Sequence, residues 1–278
     1  MNRALDLAEK GKCEEALPAL TKLLHRIPDK ALEFEAGMAA ARCAMSLNRM
    51  DAVVTALVEL NRRFPNDPRV LYVTAHYFSE LANRSSQALV STAPQSKEAM
   101  ELDAEGYESQ GKWDEATREY EMILARDPKA AGIHYRLGRI LLSKPPNPVN
   151  IEGAKSEFES ELKLHPDDAP SEFLLGDLAR QAQQWDEAAA HFSRATQIDA
   201  GFSEAFLGLG IALNGSQKYS EAVKPLEKYV GMEPSDSAGH YQLAIAYGRL
   251  GRSQDAARQI ALQQRAEKAQ GARASAPQ

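Results

Sequence analysis

Apolar residues recur three and four positions apart along most of this chain, which is the spacing of one face of an α-helix. The helical segments come in pairs, and the sequence of the second segment recurs in similar form several times along the chain. "GKWDEATREYEMILARDP" at 111–128 corresponds to "QQWDEAAAHFSRATQIDA" at 183–200 and to "QKYSEAVKPLEKYVGMEP" at 217–234. The first segment carries a small residue in its middle, as in "EFLLGDLAR" and "AFLGLGIAL". The pattern therefore predicts an all-α protein built from helix pairs.

The period of the pattern identifies the kind of repeat. The last two of these segments start 34 residues apart. A unit of 34 residues with two helices and a closing proline resembles the tetratricopeptide repeat (TPR). One repeat, for example, has the matching residues Leu137, Gly138, Ala154, Phe158 and Pro166. The tryptophan common at position 4 of TPR repeats is absent, and the residues there are Met100, His134, Glu172, Phe206 and His240.

The resemblance implies a right-handed superhelical solenoid over residues 1–270, because a single helix pair cannot bury its apolar face alone. We expect about seven to eight repeats, with boundaries at 1–30 (partial), 34–67, 68–96 (degenerate), 97–130, 131–168, 169–202, 203–236 and 237–270. Segment 68–96 reads as a good first helix and a short second one. The insertion "KPPNPVN" at 144–150 predicts a projecting loop, since proline cannot continue either helix. Residues 271–278 are expected to be disordered.

Composition narrows the function. A net charge of −6 argues against a sequence-independent nucleic-acid binder, which needs a basic face. No apolar run is long enough to read as a membrane span, and the N-terminal segment lacks the apolar core of a secretory signal. We expect a cytoplasmic protein, or a periplasmic one if a signal peptide has been removed. The general character of the sequence is bacterial.

Catalytic and metal-binding patterns are missing. Cys13 and Cys43 fall on predicted inward helix faces, so we expect small buried hydrophobes rather than a disulfide or a metal site. No two histidines have the spacing of a zinc-binding helix, and His134 and His240 are expected to pack at position 4. "GLGIALNG" at 208–215 has the wrong spacing for a dinucleotide loop and lies inside a predicted helix. Acid pairs such as Asp114–Glu115 recur at the start of second helices, which makes them structural. The sequence predicts neither an enzyme nor a cofactor.

The family resemblance implies a concave surface lined by positions 5, 9 and 12 of the first helices. From these positions we predict a partner-binding groove. Its residues are Arg42, Tyr72, His76, Glu101, Glu105, Tyr135, Arg139, Phe173, Asp177, Arg180, Leu207, Ile211, Asn214 and Tyr241. Position 5 is aromatic in four repeats, which favours a contact surface. The alternative is that these rings pack against the neighbouring repeat's first helix.

Position 9 alternates in charge through Glu105, Arg139 and Asp177 in consecutive repeats. This alternation predicts either a polar ladder for a peptide backbone or an ion-pair ladder between repeats. Some TPR proteins grip a terminal carboxylate with lysine at position 5 and asparagine at position 9. Those residues are absent here, so a chaperone carboxylate clamp is not expected.

The leading hypothesis is a non-catalytic scaffold that holds a peptide or partner segment in this groove. The alternative is the adaptor portion of a larger protein with catalytic or membrane-associated parts. RNA binding is disfavoured by the acidic balance and by a patch that includes Glu101 and Glu105. A protein or peptide partner is expected, with self-association through the N-terminal end as an open alternative.

Overall fold

The computed structural model describes residues 2–23 and 29–274, which form fifteen α-helices and no strand. The first five helices are α1 (Asn2–Glu9), α2 (Cys13–Leu23), α3 (Lys30–Ser46), α4 (Met50–Arg63) and α5 (Pro68–Thr92). Then follow α6 (Lys97–Ser109), α7 (Trp113–Arg126), α8 (Ile133–Ser143), α9 (Pro148–Leu164) and α10 (Ala169–Gln181). The last five are α11 (Trp185–Ile198), α12 (Ser203–Gly215), α13 (Tyr219–Met232), α14 (Ser237–Arg249) and α15 (Ser253–Ala274). The all-α prediction is confirmed.

The chain divides into two compact units between Pro94 and Gln95. Unit 1 holds the pairs α1/α2 and α3/α4 together with α5. Unit 2 holds five consecutive pairs, from α6/α7 to α14/α15, each stacked on the next. Within each unit, the buried residues are mainly alanines, leucines and aromatic rings on the facing sides of the helices.

Close helix approach explains the small residue in each first helix of unit 2. A Cβ placed on Gly138 of α8 would lie 2.5 Å from Phe158 Cε1 of α9, and one on Gly176 of α10 would lie 2.9 Å from Phe192 Cδ1. Both phenylalanines are completely buried. The ring of the second helix therefore occupies the space that the glycine leaves free.

The prediction of two helices in 68–96 was wrong. Residues Pro68–Thr92 form one continuous helix, α5, in which only Val70 is buried. Asp67 caps its first turn by accepting hydrogen bonds from the backbone N–H groups of Arg69 and Val70. No glycine or proline interrupts the segment before Pro94, so nothing forces the chain to turn.

The prediction for the two cysteines was also wrong. Cys13 opens α2 and Cys43 lies buried in α3, and the two form a disulfide with a Cα–Cα distance of 4.9 Å. That distance lies within the normal range for a bridge. The packing of α2 on α3 brings together two residues 30 positions apart, so the bridge ties the first helix pair to the second.

Two further boundaries differ from those expected. The loop predicted at 144–150 is confined to 144–147, because Asn147 caps α9 and Pro148 stands in its first turn, where proline is tolerated. Residues 271–274 continue α15, while 275–278 of the predicted tail lie outside the described residues.

Candidate functional site

The predicted groove residues of unit 2 lie on five consecutive first helices: α6, α8, α10, α12 and α14. All of them keep part of the side chain accessible to solvent. We call this set the first-helix face. It consists of Glu101, Glu105, Tyr135, Arg139, Phe173, Asp177, Arg180, Leu207, Ile211, Asn214 and Tyr241. Accessibility is what a binding face requires, and contact with a partner stays a prediction.

The start of α8 is held by a buried carboxylate from the same repeat. Glu161 of α9 is 1% exposed, and it accepts hydrogen bonds from Gly132 N at 2.8 Å and Tyr135 N at 3.4 Å. The N-cap residue Gly132 has no side chain to perform this task. A carboxylate at a helix N-terminus also complements the helix dipole. Glu161 therefore fixes the turn of α8 that carries Tyr135.

Tyr135 and Arg139 form one aromatic and cationic cluster on α8. The Tyr135 ring packs against Phe158 of α9 with a centroid distance of 6.1 Å. The Arg139 guanidinium lies 5.8 Å from the Tyr135 ring centroid, within the range of a cation–π contact. Arg139 itself is exposed. The Tyr135 ring thus contacts both the Phe158 ring and the Arg139 guanidinium.

Phe173 of α10 occupies the corresponding place in the next repeat. Its centroid is 5.5 Å from that of Phe192 and 4.9 Å from that of Phe202. The sequence leaves open whether the position 5 rings pack against the neighbouring repeat's first helix. Phe173 and Tyr135 instead contact the second helix of their own repeat, and Phe173 also contacts Phe202, which directly precedes α12.

The charges at position 9 do not pair with one another, so they form no ion-pair ladder between repeats. Glu105 Oε1 accepts a hydrogen bond from Arg136 Nη2 at 2.6 Å, and Arg136 is at position 6, not position 9. Asp177 accepts from Arg180 in its own helix, with Oδ1 2.6 Å from Nη2. Each acid therefore finds a nearer cation than Arg139, which stacks on Tyr135 instead.

The C-terminal part of the face is more apolar. Leu207 and Ile211 of α12 are partly exposed, and Tyr241 of α14 is 50% exposed. Asn214 Nδ2 donates to the backbone oxygen of Gln242 at 3.0 Å and to Gln242 Oε1 at 3.1 Å. Asn214 Oδ1 is buried without a protein partner. Asn214 thus links α12 to α14.

Unit 1 carries the other three predicted residues. Arg42 of α3 is exposed. Tyr72 and His76 of α5 are both exposed, and their rings stack with a centroid distance of 6.0 Å.

The sequence analysis missed a second set of polar residues. At position 4, His134 Nδ1 lies 2.7 Å from Glu157 Oε2, and His240 Nδ1 lies 2.7 Å from Gln259 Oε1. In the repeat of α10 and α11 the order is reversed, with Glu172 Oε2 2.7 Å from His191 Nδ1. Each of the three pairs joins position 4 to position 23 within its own repeat, and we call them the 4/23 pairs. Their sequence separations are 19 residues in two repeats and 23 in the repeat with the insertion, a regularity that could have revealed them.

Ion pairs between successive repeats account for the recurring acids at the start of second helices. Lys144 Nζ lies 2.8 Å from Asp114 Oδ1, and Lys218 Nζ lies 2.8 Å from Asp186 Oδ1. Hydrogen bonding to the lysine lowers the pKa of Asp114, and hydrogen bonding to Asp186 raises the pKa of Lys218. These contacts support the structural interpretation of the acid pairs.

Within the described residues, no group of three or more histidine, cysteine or acidic side chains is arranged to hold a metal ion. No helix in that part of the chain has the length and apolar character needed to cross a bilayer.

A family profile described as tetratricopeptide repeat matches residues 104–145, 150–201 and 207–272, which together make up more than half of the chain. The chain belongs to the tetratricopeptide repeat family. The matches coincide with unit 2. No sequence among curated proteins matches this TPR chain.

Solved structures of other proteins resemble the chain in fold. A crystal structure of MamA aligns with a TM-score of 0.54 at 18% identity, covering 60% of this chain and 96% of MamA. Residues 41 to the end of MamA from Desulfovibrio magneticus RS-1 give a TM-score of 0.54 at 18% identity, covering 63% of this chain and 96% of that one. YrrB, described as a TPR protein with an unusual peptide-binding site, gives 0.56 at 17% identity, with 66% and 92% covered. At these identities the likeness concerns the fold.

Proposed function

We propose that this TPR protein is a non-catalytic interaction scaffold and that the first-helix face of unit 2 binds an extended or helical segment of a partner protein. The observation that carries the proposal is the accessibility of all these side chains on five adjacent first helices. Membership of the TPR family and the peptide-binding site named for YrrB support it. Chain segments are commonly bound along surfaces that offer pockets or anchors at regular intervals.

The face offers two kinds of contact in sequence. Toward its N-terminal end, the ion pair between Glu105 and Arg136 and the exposed Arg139 provide charge. Toward its C-terminal end, Leu207, Ile211 and Tyr241 provide apolar contact. A segment with charged residues at one end and apolar residues at the other fits this order.

The aromatic residues of the face are already held in place. Phe173 contacts two further rings, and Tyr135 contacts Phe158 below and Arg139 above. A partner therefore meets rings whose rotamers are restricted before binding, which lowers the entropic cost of association.

We also propose that the protein works in an oxidising compartment. The bridge between Cys13 and Cys43 uses both cysteines of the chain. Disulfides persist in secreted and periplasmic proteins, and they are rare in the cytosol of mesophiles. Denaturation of native cells in the presence of a thiol-alkylating reagent should leave both cysteines unalkylated, and alkylation of both would overturn this proposal.

The binding proposal is tested with paired variants in a pull-down from a lysate of the native organism. R139E/Y241A changes two exposed positions of the face. R258E/I260A makes the same charge reversal and truncates an apolar side chain on α15, where both residues are also exposed. We expect the first variant to lose a protein that the wild type and the second variant retain. Equal retention by both variants would overturn the assignment of the face.

A further inference from the structure

The 4/23 pair is absent from two repeats of unit 2, and in the first of them α6 and α7 carry Met100 and Glu119 at these positions. In the repeat of α12 and α13, Phe206 stands at position 4 and Pro225 at position 23. Instead of a hydrogen-bonded pair, this repeat has an open depression of about 270 Å³ lined by Phe206, Leu209, Pro225 and the stems of Lys224 and Lys228. Its lining is almost entirely apolar.

This depression is separate from the first-helix face. On α12 the face uses Leu207, Ile211 and Asn214, which follow one another at helical intervals of four and three residues. Phe206 and Leu209 are three residues apart and share a different side of the same helix. The depression adjoins a second one of about 390 Å³, which shares Leu209 and Pro225 and is lined by residues of α11, including Ala189 and Ala190.

Two lysines lie on the rim of the depression. Lys224 and Lys228 are exposed, lie one helical turn apart on α13, and form no ion pair among the described residues. Other lysines of unit 2, such as Lys155 and Lys218, pair with an acid of a neighbouring repeat. Like charges four residues apart on a helix repel each other. The two ammonium groups therefore stand at the rim without an ion pair in the described part of a chain whose net charge is −6.

We propose that this depression is a second docking site, for an acidic segment of a partner protein that inserts one aliphatic or aromatic side chain. The apolar floor between Phe206 and Pro225 accepts the side chain, and Lys224 and Lys228 pair with flanking carboxylates. Burial of an apolar anchor supplies affinity, and the complementary charges select the partner. The inference shares with the proposed function the premise that the chain binds proteins. It does not depend on the first-helix face.

The site also has a preferred orientation for its ligand. The adjoining depression contains Glu221 together with Asp186, which is already paired with Lys218. Carboxylates of the ligand are therefore repelled on that side and attracted on the side of Lys224 and Lys228. The acidic residues of the partner should lie toward the lysines, beyond the inserted side chain.

Direct binding tests the site without knowledge of the partner. The probe is a fluorescein-labelled polyglutamate peptide with one central phenylalanine, and a matched peptide has alanine in its place. Fluorescence anisotropy with the full chain should show weaker binding of the alanine peptide. K224E/K228E should weaken binding of the phenylalanine peptide at least about tenfold. K129E/K163E changes the net charge equally at two exposed lysines elsewhere and should leave binding unchanged.

A second variant tests the apolar floor. F206H/P225E introduces the residue types of the pair at His134 and Glu157 into the same register. This variant should fold and lose the preference for phenylalanine over alanine. Equal binding of the two peptides by the wild type, or equal losses in K224E/K228E and K129E/K163E, would overturn the proposal. Retained phenylalanine binding by R139E/Y241A would separate this site from the first-helix face.

Discussion

His191 Nδ1 lies 2.7 Å from Oε2 of Glu172, a carboxylate with no exposed surface, and Arg194 Nε lies 2.8 Å from the other oxygen of the same group. The arrangement compensates a charge that would otherwise be buried alone. In the preceding repeat, the same two positions carry His134 and Glu157 in the opposite order. Where a histidine and an acid occupy these positions, the fold therefore accepts either order.

The reversed order gives a direct test of this pairing. H191E places a second carboxylate beside that of Glu172, and we expect a loss of about 3 kcal/mol in the free energy of unfolding, because the buried charge loses a partner. The double exchange E172H/H191E should recover most of that loss. Urea unfolding followed by circular dichroism measures both variants. A double exchange no more stable than H191E would contradict the pairing.

Removal of the disulfide should destabilise unit 1. A bridge between residues 30 positions apart restricts the unfolded chain and is worth about 3–4 kcal/mol in the chain-entropy account. Reduction of the disulfide, or the substitution C13S/C43S, should therefore lower the free energy of unfolding of unit 1 by about that amount, and its melting temperature with it. Both tryptophans, Trp113 and Trp185, lie in unit 2, so tryptophan fluorescence follows unit 2 alone. Far-UV circular dichroism reports both units.

Reductant should thus lower the temperature of the unfolding transition of unit 1 that circular dichroism detects. The unfolding transition followed by tryptophan fluorescence should stay unchanged. The variant C13S/C43S should not respond to reductant. An equal shift in both signals would contradict confinement of the effect to unit 1.

Alkaline unfolding should depend on Tyr247. Burial, followed by the hydrogen bond from its hydroxyl to Glu227 at 2.5 Å, raises the pKa of Tyr247 from 10.0 to about 12. The folded state then keeps a proton that the unfolded state releases above pH 10, so this contribution to stability is constant below pH 10 and falls between about pH 10 and 12. Y247F should flatten the decline in unfolding free energy over that interval. The same slope in Y247F and wild type would refute this assignment. Tyr120 and Tyr229 also have raised pKa values from burial and add to the decline in both proteins.

The close contact at Gly138 predicts a cost for added volume. Alanine is the better helix former by about 1 kcal/mol, yet G138A places a Cβ against the buried ring of Phe158. Because overpacking costs about 1–3 kcal/mol, we expect a net loss of stability. The loss should be smaller in an F158L background, where the ring is gone. G106A in α6 is the control: no atom lies within 4 Å of its Cβ, and it should be neutral or stabilising. A stabilising G138A would contradict the packing described.

The helix pairs were predictable because each carries its own periodicity and its own small residue at the crossing, as at Gly138 and Gly176. The contacts between pairs were harder to predict. Glu105 pairs with Arg136 and not with Arg139. That partner depends on the direction of the side chains and not on repeat position alone. The disulfide depended on how α2 packs on α3, and two cysteines 30 residues apart do not reveal that distance. The single helix α5 was missed because family periodicity was given more weight than the absence of a helix breaker.

The binding role of the first-helix face is harder to predict from the sequence than the helix pairs are. The residues predicted from their repeat positions are at least partly exposed in the structure. Tyr135 and Phe173 also pack against other rings. Exposed residues with few contacts, such as Arg139 and Tyr241, are therefore the better sites for a functional test.

Site-specific photocrosslinking tests the central claim most directly. A benzoylphenylalanine at position 241 probes the first-helix face, and one at position 260 of α15 serves as the control, since Tyr241 and Ile260 are 50% and 44% exposed. Each protein is produced in the native organism, irradiated and analysed by mass spectrometry. We expect a specific crosslinked partner from position 241 and none from position 260. Crosslinks to the same proteins from both positions, or from position 260 alone, would contradict binding at the first-helix face.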